Sequence, residues 1–307
     1  DVSFEGSDQM EGRFSIKKAE FGKGLLSFEL ADYSNVDIDF ERSDFGEGTL
    51  SFYNGKFKSL SLNSCHLDHY TDLRVSKCEY IDLSNAIVRD IIDLKPYEFK
   101  EDIDTINFSG LRLIGRIYID WKSNNVFQLI NRQKYTGYRL KSEQFRTLKE
   151  NFSVTGQYSD EDLSYVEFKR FEAKADLEEA IKEKPISAIW MYPLHWFKLI
   201  IFDKAGLYAT NPARVIFSML ISYLFFSFLY VFLMNFTDGN ILSGVNNPDK
   251  LTHLETALYH SAITFFTIGY GDHFPVGNIR IVSGIEGFAG VFLMSYFTVA
   301  FVRKILR

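Results

Sequence analysis

The sequence predicts a multidomain membrane protein. An N-terminal right-angled β-solenoid leads through a helical linker to a C-terminal membrane domain, in which two spanning helices flank a shorter re-entrant one. Three observations carry this. Apolar residues recur every five positions over much of the first third. A helical pattern with glycine and proline stops follows. Two apolar runs, Val215–Phe236 without charge and Ile281–Val302 with only Glu286, lie near the C-terminus.

Charge divides the chain in the same way. Residues 1–105 hold 22 Asp/Glu and 12 Lys/Arg, a net of −10, whereas the whole chain of 307 residues nets −6, so the remainder nets +4. Such asymmetry indicates two environments. An acidic first region is a poor surface for nucleic acid, and no nucleic-acid partner is expected. The two cysteines, Cys65 and Cys78, are too few for a disulfide framework and read as reduced thiols of a cytosolic segment.

The first region has neither the period of a helix nor that of a plain strand. Leu83 and Val88, then Phe108, Leu113 and Tyr118, stand five apart. So, with slips, do Phe21 and Leu26; Phe28, Tyr33 and Ile38; and Phe40, Phe45 and Leu50. A square coil with five-residue sides turns one residue per side inward, and stacked coils share a column of such residues. From Leu140 to Val154 the pattern is helical, with Gly156 as the stop. Ser159-Asp-Glu-Asp162 has capping-box spacing and opens a second helix to about Lys184, ended by Pro185.

Each long apolar run is long enough for a helix to cross a bilayer, which takes about 20 residues. Leu254–Phe266 is too short to cross and is expected as a re-entrant helix. Lys198, Lys204 and Arg214 precede the first run, and Arg303, Lys304 and Arg307 follow the second. The connecting loop holds Asp238, Asp249 and only Lys250, with Arg280 where the second run begins. Both termini are therefore expected in the cytoplasm, with the protein multi-pass in the cell (inner) membrane. Leu194–Phe202 is aromatic and amphipathic and is expected to lie along the inner interface, in contact with lipid. Expected boundaries are 1–130 for the solenoid, 131–193 for the linker, 194–213 for an interfacial helix and 214–307 for the membrane domain. Within that domain the outer helix spans about 214–236, the short helix about 252–266 and the inner helix about 278–303.

Between the short and the inner helix stands Thr267-Ile268-Gly269-Tyr270-Gly271-Asp272. Two glycines permit backbone of alternating handedness, which aims successive carbonyls to one side. In its setting the motif resembles the selectivity filter of the potassium-channel superfamily, and the span–loop–span layout resembles its two-transmembrane class. With the five-residue repeats ahead of it, most of the chain is similar to bacterial pentapeptide-repeat ion channels. The resemblance implies a homotetrameric pore with K+ as the permeant ion. It implies ion sites made by the carbonyls of Thr267, Ile268, Gly269 and Tyr270, the Thr267 hydroxyl and the backbone freedom of Gly271, with Tyr270 bracing the filter and Asp272 at its outer rim. Nonselective relatives change the residue between the glycines; here it is Tyr270.

Two departures concern the support of this segment. Some relatives carry an acid four residues before the filter threonine. Here Ile263 stands there, so Tyr259 is the expected partner of Asp272. Glu286 interrupts the second span. It is expected either buried against the short helix near Ser261 or Thr264, or hydrated at the outer interface. Gly290 aligns with the family's hinge glycine, and close helix packing is the equal explanation for it. Phe297 and Phe301 share a face and are candidates for a hydrophobic gate, or else face lipid.

Cys65-His66-Leu67-Asp68-His69 carries metal-capable residues, but a coil points them to different sides, so no metal site beyond the K+ positions is expected. His273 beside the rim could tune block of the outer mouth. No nucleotide loop or nucleophile–base arrangement is present, so the chain is not expected to be an enzyme. Voltage sensing is not expected without an arginine-rich span. Control by a cytosolic ligand or protein would enter at the solenoid and act through residues 185–214. The alternative function is a membrane-anchored interaction protein whose acidic solenoid binds a partner, its pore secondary or nonselective.

Overall fold

The computed structural model describes residues 1–7, 11–95, 97–245 and 250–306. Asp249 and Arg307, both used in the orientation argument, lie outside these residues. The chain divides into two units, Asp1–Tyr192 and Pro193–Arg307.

The first unit is built on a parallel β-solenoid of about five coils. One wall stacks Glu11–Ser15, Asp32–Asp39, Lys56–Ser61, Lys77–Asp82 and Asp102–Asn107. A second wall runs from Val2–Ser3 to Arg116–Tyr118, and a third joins His66–Leu67, Ile87–Val88 and Arg112–Leu113. Corner chemistry sets the coil. Asp39, Asp72, Asp82, Asp93 and Asn107 each end a strand, and each side chain accepts a hydrogen bond from the backbone N–H two residues on. On the long-strand wall a left-handed residue follows three positions after the acid or amide: Arg42, Asn85 and Gly110 have φ of 61°, 58° and 69°. Short polar side chains close such turns, which frees the next strand to stack.

Phenylalanine fills the axis. Phe28 stacks between Phe4 and Phe52 at 4.8 and 5.2 Å, and Phe21 stacks on Phe45 at 4.7 Å. Phe28, Phe40 and Phe52 are fully buried. Each such ring contributes about 1.5–3 kcal/mol by burial, and stacked pairs somewhat more.

Two details depart from the regular five-residue column. Four five-residue sides would repeat about every 20 residues. Here aligned positions advance by 24 residues from Val2 to Leu26 and by 21 from Leu50 to Thr71. A bulge between Tyr33 and Asp37 absorbs part of the excess, and this is why the sequence period slips. Tyr118 does not face the axis; it is exposed, and its neighbour Ile117 takes the inward place.

The last coil would leave an open strand edge, which invites unwanted pairing. Helical side chains close it. Helix α1 is Val126–Asn131, α2 is Tyr138–Val154 and α3 is Tyr158–Glu183. From α2, Gln144 Oε1 accepts the Phe108 N–H at 2.9 Å. Asn151 accepts the Ile117 N–H at 2.9 Å and donates to the Ile117 carbonyl at 2.8 Å. Gly156, at φ 73°, turns the chain into α3. The capping box expected at Ser159 is not formed. Gln157 is the N-cap residue without a side-chain bond, and Ser159 lies inside the first turn. Asp160, also in the first turn, accepts from the Trp121 N–H at 3.2 Å and ties the start of α3 to the chain after the last solenoid strand.

Helix α4, Ala188–Lys198, crosses the boundary between the units. The interfacial helix expected at 194–213 begins earlier and does not continue. A π-helical turn at Leu199–Lys204 follows, then Leu207, Tyr208 and Ala209, all left-handed. Trp190, Trp196, Phe197 and Ile200 are exposed along this segment. The second unit then forms α5 (Pro212–Phe236), α6 (His253–Phe265) and α7 (Ile279–Ile305). Of these, α5 and α7 are long and apolar enough to cross a membrane. Strands Asn240–Ser243 and His273–Val276 pair antiparallel between them.

Candidate functional site

The site is the segment after α6. Its starting point is a capping box: the Thr252 hydroxyl accepts from the Glu255 N–H, and the Glu255 carboxylate accepts from the Thr252 N–H. This fixes where α6 begins; the helix runs for thirteen residues, with Phe266 as its C-cap. The Thr252-x-x-Glu255 spacing is a cap signature that the sequence carries ahead of the motif.

Beyond Phe266 the backbone alternates. Thr267, Gly269 and Gly271 are left-handed, with φ of 55°, 64° and 77°. The glycines adopt this without strain, whereas Thr267 holds it at a cost. Ile263 anchors the start. Its carbonyl accepts the N–H groups of Ile268 at 2.9 Å and Gly269 at 3.2 Å. Ile263 thus supports the segment through its backbone, while its side chain is buried and apolar. Ile268 and Tyr270 are exposed on the single chain.

The rim is tied to α6 by Tyr259, whose hydroxyl donates to Asp272 Oδ2 at 2.7 Å. This hydrogen bond holds the Asp272 carboxyl below its ordinary range. His273 packs edge-on against the Tyr259 ring at 5.1 Å, and its Nδ1 lies 3.4 Å from Asp272 Oδ2 without a hydrogen bond.

Behind the segment Glu286 joins three helices. It is fully buried on α7. Tyr230 of α5 donates to Oε2 at 2.5 Å, and Ser261 of α6 donates to Oε1. The Ser261 hydroxyl also lies 3.2 Å from the Tyr223 carbonyl. Thr264 does not pair with Glu286; it lies 3.5 Å from His260 Nε2. His260 is buried beside Tyr230, and its Nε2 lies 3.0 Å from Ser283 Oγ. Tyr230, His260 and Ser283 went unremarked in the sequence, because polar residues inside apolar runs give no periodic signal.

Gly290 lies where α7 crosses the end of α6. A Cβ there would sit 2.0 Å from the Phe265 carbonyl oxygen. Farther along α7, Phe297 packs against the cluster of Ala209, Val215 and Ala300, and stacks on the exposed Phe301 at 5.6 Å. Phe297 is therefore engaged in packing α7 on α5.

The metal-capable residues of the solenoid diverge. Cys65 is buried in the core, and burial pushes its thiol up to about 12. His66 Nδ1 lies 3.3 Å from Asp44, and Asp68 pairs with Arg89 at 2.7 Å.

Residues 218–307 match the family model described as "Ion channel", a stretch that begins within α5 and includes α6, the 267–272 segment and α7. No curated protein and no solved structure matches the chain.

Proposed function

We propose that the ion-channel domain of residues 218–307 conducts potassium selectively through a pore made by four copies of this chain. The observation that carries the reading is the alternating backbone of Thr267, Gly269 and Gly271 inside TIGYGD. A K+ ion sheds water only where oxygens replace it at similar energy. Carbonyls of Thr267, Ile268, Gly269 and Tyr270 supply such oxygens when four chains face one axis. A single segment makes one wall only. The exposure of Ile268 and Tyr270 on one chain fits surfaces that neighbouring copies cover. The C-terminal end of α6 carries the negative end of its dipole, which favours a cation there. Tyr259–Asp272 fixes the rim, Ile263 the base, and the Glu286 junction the back. The acidic solenoid is a cytosolic control module, both termini lie in the cytoplasm, and the exposed aromatics of 190–200 rest on lipid.

Flux from purified protein in liposomes tests this. K+ should pass in preference to Na+, and Gly269→Ala or Tyr270→Ala should abolish that preference. Equal passage of both ions would end the selective reading.

The net charge of −10 over residues 1–105 favours a second reading, in which the solenoid captures a cationic partner and the pore is secondary. Partner capture by a protein that carries no flux would favour it.

A further inference from the structure

We propose that Tyr296 is a gating latch, which locks a strained strap ahead of α5, residues 199–211, to the C-terminal half of α7 so that the two move as one. The proposal rests on the channel reading. Leu207, Tyr208 and Ala209 have φ of 49°, 54° and 61°. Residues other than glycine visit this region singly; three in succession are strained, and neighbours must hold them there.

Tyr296 supplies that hold. Its hydroxyl accepts the Ala209 N–H at 2.8 Å and donates to the Phe202 carbonyl at 2.9 Å, so both capacities are used on strap backbone. Its ring lies over Gly206, where a Cβ would sit 2.6 Å from the tyrosine ring and 2.6 Å from Val215. The strap is fastened to α5 as well. Arg214 Nε donates to the Lys204 carbonyl at 2.9 Å, and Ser218 to the Ala205 carbonyl at 2.9 Å.

The strap is the covalent route by which anything upstream of Lys198 reaches α5. Both hydrogen bonds that tie it to α7 come from Tyr296, while the rings of Phe292 and Phe297 pack on Phe202 and Ala209. A pull on the strap must either carry α7 with it or break the two bonds to Tyr296. Release relaxes three left-handed residues at once, which makes the contact two-state rather than graded. A π-helical turn at Leu199–Lys204, of a kind frequent at functional positions, forms the first part of the strap.

Two kinds of variant bias the latch in opposite directions. Tyr296→Phe removes both bonds and favours release. Ala209→Gly and Leu207→Gly allow the left-handed strap without strain and favour the latched state. The full chain, reconstituted in planar bilayers with K+ on both sides, should show open probability moving one way for Tyr296→Phe and the other way for both glycine variants. The expected change in the open-to-closed ratio is roughly fivefold to thirtyfold, the worth of one or two hydrogen bonds. Hydrogen exchange over 205–211 should quicken in Tyr296→Phe and not in the glycine variants. Unchanged exchange in Tyr296→Phe overturns the latch. Shifts of the same sign in all three variants, or no shift in any, overturn its gating role. A wild-type protein silent to every ion overturns the channel reading and the gating role together, whereas current that ignores all three variants overturns the gating role alone.

Discussion

Gly290 and Phe265 touch backbone to backbone: a Cβ on Gly290 would fall 2.0 Å from the Phe265 carbonyl oxygen and 2.8 Å from its carbon. The first atom of any side chain would thus collide with rigid main chain rather than with the movable end of a side chain. Close approach alone therefore requires glycine here, whether or not α7 bends. Gly290→Ala should cost about 3 kcal/mol, the upper part of the range for overpacking. It should lower the thermal unfolding midpoint of the detergent-solubilised protein by several degrees. Wild-type stability with altered gating would instead make Gly290 a hinge.

The Glu286 junction makes a different prediction, because its members can be replaced in kind. Glutamine keeps an acceptor for Tyr230 and offers an amide to Ser261, whose hydroxyl can then donate to the Tyr223 carbonyl at 3.2 Å. Glu286→Gln should keep near-wild-type stability. Glu286→Leu strands the buried Tyr230 hydroxyl and should cost about 1–3 kcal/mol. It should also loosen α6, visible as a lower K+ to Na+ permeability ratio from reversal potentials. Equal ratios in the wild type and the leucine variant would remove Glu286 from the support of the site.

These residues mark what the sequence could and could not say. The two apolar helices, the short helix and the alternating backbone of residues 267–271 were legible because each is a local pattern with one physical cause. The solenoid was legible through Phe28, Tyr33 and Ile38, which are all buried. Tyr118 was misplaced because the coil lengths vary, so the five-residue step loses phase before its neighbour Ile117. The capping box at Ser159 failed because the helix starts earlier: Gln157 is the N-cap residue, and Ser159 already lies inside the first turn. Ile263 was read by its side chain, whereas its carbonyl holds the segment. Tyr296 and the left-handed strap left no sequence signature, since nothing in Leu-Tyr-Ala announces positive φ.

Tyr259 should matter for acid sensitivity. Its hydroxyl donates to Asp272 and holds that carboxyl below its ordinary value of 3.8. The carboxylate is thus ionised above that region and loses its charge only as pH falls through the lowered value. Tyr259→Phe removes the largest cause of the lowering, so protonation should begin at higher pH. On the proposed reading of a potassium pore with Asp272 at its outer rim, the loss of K+ current on acidifying that side should shift upward in pH, and Asp272→Asn should remove this component. Superimposable acid titrations of wild type and Tyr259→Phe would show that the contact does not set the charge of the rim.

Glu101 gives the solenoid a pH dependence of opposite sign. Burial pushes its carboxyl up to about 8 from 4.5, and only one of its oxygens is bonded, to Asn124. Between these values the folded chain retains a proton that the unfolded chain has released. Stability is therefore full below about pH 4.5 and falls as pH rises toward 8, by at most about 1.4 kcal/mol per pH unit. Glu101→Gln removes the ionisation and should flatten this component. In thermal unfolding of the full chain followed by circular dichroism, the variant should gain on the wild type steadily from pH 5 to pH 8. Its unfolding midpoint should be the higher of the two by pH 8. Curves that stay parallel across that range would mean that Glu101 ionises as readily in the folded solenoid as in the unfolded chain.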